Sequence, residues 1–224
     1  MTEEKNVATI WLAKTNQKGG ANVVKVKTLD ERAVYDIGHA FGYYDYGEER
    51  GLNAIFSSQE AVSIYIQGYV RWAFRGGFLH ATSERGEGYI AYKQAGQKSG
   101  IRAAMPLLKA VFQAMTLKEV INFIRVMSHG EKSPTDKLDK EKKPYIFVGM
   151  VCVREQYQGQ GYMRKVMDMA FEEGNRLQVP VILDTDAKTK CDKYMHLGMK
   201  LAGIRDFGEY GKLYDLIKYP DKKN

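Results

Sequence analysis

Gln158-Gly-Gln-Gly-Tyr-Met-Arg164 lies between two unlike patterns, and its reading decides the fold. Upstream, Tyr145-Ile-Phe-Val-Gly-Met-Val-Cys-Val153 is an apolar run rich in β-branched and aromatic residues and too short for a typical helix, which predicts a buried strand. Downstream, Met163, Val166, Met167, Ala170 and Phe171 recur at helical spacing and form one apolar stripe. Arg164, Lys165, Asp168, Glu172 and Glu173 fall mainly on the other side. The order is therefore strand, glycine turn, helix.

That order suits an anion. The first amides of a helix have no partner within it, and they emerge at the positive end of the macrodipole, where a phosphate binds. Glycine lets the backbone approach such a ligand without a Cβ in the way. The same glycines also serve a plain strand-to-helix turn, so two readings stand at this point. No Gly-Lys-Ser/Thr ending is present, and a dinucleotide fingerprint would need a third glycine where Arg164 stands.

Composition narrows the class. The chain has 224 residues, 44% apolar and 27% charged, ordinary values for a globular protein with an ample core. The first residues carry no apolar region of secretory type, and no stretch is long and uncharged enough to span a bilayer, so no membrane partner is expected. Cys152 and Cys191 are too few for a disulfide framework or a zinc site, which predicts a reducing, cytoplasmic compartment. A net charge of +7 steers polyanions toward the chain. The lysines are spread along the chain rather than gathered with aromatics, which argues against nucleic acid as the partner.

The rest of the chain reads as alternating elements. Val7 to Ala13 reads as an edge strand, and Val23 to Lys27 as the first secure one. Capping boxes are predicted at Thr28 with Glu31, Ser57 with Glu60, and Thr116 with Glu119, each opening a helix. The loop Gly42-Tyr-Tyr-Asp-Tyr-Gly47 is aromatic and acidic, either a packed surface loop or part of a pocket in which Asp45 pairs with an amine. Phe78 to Ser83 and Gly88 to Lys93 form a hairpin. Pro106 is placed in the first turn of a helix whose face is Leu107, Leu108, Val111 and Met115. Gly130 to Lys143 is a charged, mobile connector. Val179 to Thr185 is a strand, Thr189 to Leu197 a short helix, and Lys200 to Asp206 and Lys212 to Lys218 two closing strands. One domain over residues 1–224 is expected, with a helical segment and charged loop at about 101–143.

The run Val151 to Met167 resembles the acetyl-CoA motif of the GNAT superfamily of acetyltransferases: Gln158, Gly159 and Gly161 match, and Met163 replaces the usual Gly or Ala. Lys190-Cys-Asp-Lys-Tyr-Met-His-Leu-Gly-Met199 is similar to a second signature of that family, through Tyr194 and Gly198, with Lys190 in place of an Asn and Met199 in place of an aromatic. The layout is most similar to the branch that includes puromycin acetyltransferase-like enzymes.

The resemblance implies an α/β fold of the α+β kind: a mixed, mostly antiparallel sheet with helices on both faces, in which the strands ending at Val153 and Thr185 splay apart. It implies acetyl-CoA as cosubstrate, held by the backbone of Val151, Cys152 and Val153 and by the turn Gln158, Gly159, Gln160, Gly161, Tyr162, Met163 and Arg164, with Lys190 adding a charge for a phosphate. It implies direct acetyl transfer to an amine of a small molecule or peptide. Tyr194 would protonate the leaving sulfur, a role that suits a hydroxyl with an ordinary pKa of about 10. Asp184 is the first choice of base, and a purely structural Asp184 stands beside it. His39, His80 and His196 lack metal-ligand spacing, so no metal is expected, and His129 and Cys191 read as a surface histidine and a packing cysteine. Two other functions stay open: a non-catalytic acyl-CoA sensor and a basic nucleic-acid-binding module. Oligomeric state, monomer or homodimer, is not readable.

Overall fold

A computed structural model describes residues 24–129 and 132–222. The strand expected at Val7 to Ala13 lies outside them. Among the described residues, seven strands form one sheet in the order β1-β2-β3-β4-β5-β7-β6. They are β1 (Val24–Lys25), β2 (Leu79–Ala81), β3 (Gly88–Gln94), β4 (Ile146–Val153), β5 (Val181–Thr185), β6 (Lys200–Asp206) and β7 (Lys212–Lys218). All neighbours are antiparallel except β4 and β5. The helices are α1 (Glu31–Gly42), α2 (Gln59–Arg75), α3 (Ile101–Ala114), α4 (Leu117–His129), α5 (Pro134–Lys140), α6 (Tyr162–Leu177) and α7 (Lys188–His196). The expected mixed, mostly antiparallel sheet between helices is what the chain forms.

Two cores cover the two faces. One joins α1, α2 and the end of α3 to Leu79, Ala81, Tyr89 and Ala91. The other joins α6 and α7 to Ile90, Ile146, Val148, Val181, Leu183 and Leu216. The α6 stripe is the one read from sequence, since Val166, Met167, Ala170 and Phe171 are all buried. Each large apolar side chain buried this way contributes roughly 1.5–3 kcal/mol.

Strand β4 changes sides in the middle. Its register against β3 shifts between Tyr92, opposite Val148, and Ala91, opposite Met150, so Gly149 is the extra residue of a bulge. Strand side chains alternate with period two, and one inserted residue reverses the alternation. Ile146 and Val148 therefore enter the α6 core. Met150 and Cys152 enter the α1–α2 core.

β4 and β5 pair only at Ile146 with Val181 and Phe147 with Ile182. Beyond Phe147 no pairing joins them, which is the splay expected from the resemblance. In β3, the Gly88 carbonyl accepts from the Thr82 amide of the β2 side. Antiparallel strands bond on alternate residues, so Val153 opposite Gly88, and Val151 with it, turn their amides and carbonyls away from β3 into the gap.

Several local expectations shift. The cap of α1 is Asp30, which accepts from the Arg32 amide, rather than Thr28. The cap of α2 is Ser58, which accepts from Ala61, rather than Ser57. The Thr116–Glu119 box forms in both directions. Pro106 lies inside α3 rather than in its first turn, because the helix begins at Ile101. The charged connector is not loop throughout. Ser133 caps α5 in a reciprocal box with Asp136, and Leu138 packs beside Tyr145, Ile182 and Ile217.

Candidate active site

The turn before α6 is built from two left-handed glycines, Gly159 at φ 74° and Gly161 at φ 80°. A Cβ on either would meet nothing within 4 Å, so open space lies in front of both. Gly161 occupies the N-cap position and offers no side chain to the helix. Among the described residues, no amide from Gly159 to Arg164 donates a hydrogen bond; the first that does is Lys165, to the Gly161 carbonyl. A run of free amides at the positive end of a 16-residue helix is an anion cradle.

The turn opens into a cavity of about 640 Å³. Of the residues expected to hold a cofactor, Val151, Cys152, Val153, Gln158, Gly159, Gly161, Tyr162, Met163 and Lys190 line it, whereas Gln160 and Arg164 do not. The Gln160 side chain turns back to donate to the Gln156 carbonyl at 3.0 Å. Gln158 does the same to the Val153 carbonyl at 3.2 Å, tying the turn to the end of β4.

Tyr194 lies in the same cavity, on α7. Among the described residues its hydroxyl makes no hydrogen bond, and burial, then the negative charge of Asp186, pushes its pKa well above the ordinary tyrosine value. The phenol is thus held in its protonated form. The second candidate, Asp184, also lines the cavity. One of its oxygens accepts from Arg205 at 2.9 Å. Arg205 grips Asp215 by two bonds, of 2.9 and 2.7 Å. Burial pushes the Asp184 carboxyl up and Arg205 opposes it.

Lys190 departs from its expected role. Its ammonium sits 2.8 Å from Asp186 and 4.1 and 4.5 Å from the centres of the Tyr44 and Tyr46 rings. An ammonium neutralised by a carboxylate and enclosed by rings is committed there rather than free for a phosphate. Asp186 also accepts from the Tyr46 hydroxyl at 2.7 Å and the Leu52 amide at 3.0 Å. The aromatic loop is thereby pinned across the end of β5. Glu49 adds bonds to the Tyr214 hydroxyl at 2.8 Å and the Lys188 amide at 2.6 Å. Asp45, the carboxylate expected to face an amine, instead accepts from Gly47 within its own loop, at 2.8 Å.

The far wall of the cavity is apolar: Phe41, Tyr44, Ile55, Tyr65, Tyr69 and Phe123 face it. Sequence reasoning singled out the Tyr44–Tyr46 loop but missed Tyr69, Asp186 and Arg205. Tyr69 falls within the helix opened at Ser57 and Glu60 with nothing to mark it as a cavity residue, and strand charges such as Arg205 carry no local signal that their partner lies across the sheet. Among the described residues no three His, Cys, Asp or Glu side chains converge as a metal site requires. His80 is stacked on Tyr92, and the side chain of His129 is not described.

No protein-family model matches this sequence, and no curated protein matches it. Solved structures do. The arylalkylamine N-acetyltransferase 2 of Aedes aegypti superposes with a TM-score of 0.53 at 12% identity, covering 89% of this chain and 100% of that one. An N-acetyltransferase from Staphylococcus aureus Mu50 superposes with a TM-score of 0.50 at 13% identity, covering 88% of this chain and 99% of that one. Identities this low establish the fold alone, and the fold is that of the GNAT N-acetyltransferases.

Proposed function

We propose that the chain is an acetyl-CoA-dependent N-acetyltransferase. One observation carries the reading: Gly159, Gly161, Tyr162 and Met163, whose amides donate no hydrogen bond among the described residues, line the cavity where β4 and β5 part, and Tyr194 lines that same cavity. The residues fit the cosubstrate. The glycine turn offers donors and open space for a diphosphate, and the backbone groups of Val151 and the amide of Val153, which turn away from β3, offer partners for the amides of a pantetheine arm. Bound acetyl-CoA would supply an activated acyl group.

The chain's own residues do the rest. The Val151 or Val153 amide donates toward the oxygen on which negative charge develops. The Tyr194 hydroxyl holds the proton that the leaving sulfur takes as the C–N bond forms and the C–S bond breaks. Asp184 takes the proton lost by the amine. Of the two carboxylates lining the cavity, Asp186 is consumed by Tyr46, Leu52 and Lys190, whereas Asp184 keeps one oxygen without a partner among the described residues. Lys190 holds the aromatic loop in place of a phosphate. The ring-rich far wall suits an amine carried on an apolar body, small molecule or peptide N-terminus.

Thermal denaturation tests the binding step. Acetyl-CoA at about 100 times its dissociation constant stabilises the chain by roughly 2.7 kcal/mol. No shift with acetyl-CoA overturns the reading, and a shift with nucleic acid in its place favours the basic binding module. A shift without thiol release across a panel of primary amines leaves a non-catalytic acyl-CoA sensor.

A further inference from the structure

Helix α3 turns its small residues inward and its large apolar residues outward. Ala110 and Ala114 are buried, and the Ala110 methyl fills the space that Gly68 of α2 leaves. Ile101, Met105, Leu108 and Phe112 recur on the opposite side and are 79, 54, 46 and 74% exposed. Helix α4 continues the pattern with Leu117, Ile121 and Ile124, at 72, 49 and 60%. Exposed large apolar residues grouped this way mark an interaction surface.

Charge says what covers it. Lys98, Arg102, Lys109 and Lys118 flank the stripe and are exposed. None of them is in an ion pair among the described residues. Between Glu87 and Glu119 the chain has no acidic residue at all. A two-fold pairing of the stripe with a second copy would bring both sets of cations to the same rim, where the carboxylate of this stretch, Glu119, is already taken up by the amide and hydroxyl of Thr116. An anionic lipid surface meets both features, because a helix lying in the interface buries its apolar side among acyl chains and sets its cations among the headgroups.

We propose that the α3–α4 face docks on an anionic membrane surface. No described helix is long and apolar enough to cross a membrane, and the expectation of no membrane partner rested on that length, which a surface-lying helix does not need. Helix α4 carries Phe123 on the cavity wall and Ile121 and Ile124 outside, so docking sets the lipid one helix away from the cavity.

The test is co-sedimentation of the full chain with vesicles of phosphatidylcholine alone or with about 30% phosphatidylserine, an anionic leaflet of the kind that attracts basic segments. The chain pellets with the anionic vesicles only and is released at about 0.5 M salt, where screening is strong. Phe112→Ser and Leu117→Ser each lower partitioning about ten-fold or more, and Arg102→Gln and Lys109→Gln each about five-fold. All four side chains are exposed, so the fold is retained, which circular dichroism checks. Failure to pellet with anionic vesicles, equal binding to both compositions, or wild-type binding by the Phe112 and Leu117 variants overturns the proposal. So does a dimer in sedimentation velocity that Phe112→Ser dissociates, since it assigns the stripe to a second copy. None of these outcomes depends on acetyl-CoA binding.

Discussion

The Tyr69 hydroxyl occupies the space that a side chain on Gly149 would need. Gly149 is also the extra residue of the β4 bulge, the point at which the strand passes from one core to the other. The glycine thus serves two ends. It allows the reversal of alternation, and it lets a tyrosine from α2 reach the strand at the cavity wall.

Gly149→Ala forces Tyr69 out of its position, and overpacking of this kind costs about 1–3 kcal/mol. For a chain of this size that lowers the melting temperature by about 2–4 °C per kcal/mol. Tyr69→Ala in the same background removes the clash, so the double variant loses less than the sum of the two single losses, with a coupling of about 0.5–3 kcal/mol between the two sites. Wild-type stability of Gly149→Ala would show that the tyrosine yields freely.

Tyr194→Phe keeps the ring and removes the proton. If the hydroxyl serves the leaving sulfur, turnover falls roughly 10²–10⁴-fold, while the melting shift given by acetyl-CoA is little changed. Single-turnover kinetics shows whether chemistry limits the rate. A wild-type rate with chemistry limiting rules out the proton-donor role.

The strand, glycine turn and helix from Ile146 to Leu177 were legible because two periods meet at residues of special conformation, and β6 and β7 were legible from their turn residues. Caps slipped where like residues adjoin. Ser57 and Ser58 have the same chemistry, and it is Ser58 that stands, with extended backbone, where its hydroxyl reaches the Ala61 amide. Periodicity finds the apolar stripe of α3 but not the side on which its core lies, so Leu108 was assigned inward and is outward. Asp186 with Tyr46 and Arg205 with Asp184 are pairings between residues distant in sequence or across strands, which no local pattern records.

Arg205 is buried between Asp184 and Asp215. Removing it leaves two carboxylates in a region that already raises the Asp184 pKa by burial. Arg205→Met therefore costs about 3–5 kcal/mol, the usual penalty for orphaning a buried charge. Without Arg205 to oppose burial, the Asp184 carboxyl holds its proton more firmly folded than unfolded, so the variant's deficit against wild type narrows as pH falls. Urea denaturation of both chains across the acid range measures this. A deficit independent of pH would mean that packing, rather than charge, carries the loss.

His80 gives a pH dependence in the other direction. Its ring stacks on Tyr92 at 4.5 Å, and its buried Nδ1 has no partner among the described residues. Burial, as the largest cause, pushes its pKa down from 6.5 to about 4. Between those values the unfolded chain binds a proton that the folded chain does not, so stability rises with pH across that window. The contribution is fully present above about pH 6.5 and is lost as pH falls toward about 4. His80→Phe keeps the stack on Tyr92 and removes the titration. Its urea midpoint should fall less than that of wild type as the solution is acidified through this window. An equal fall in both chains would show that the imidazole is protonated in the folded state as readily as in the unfolded one.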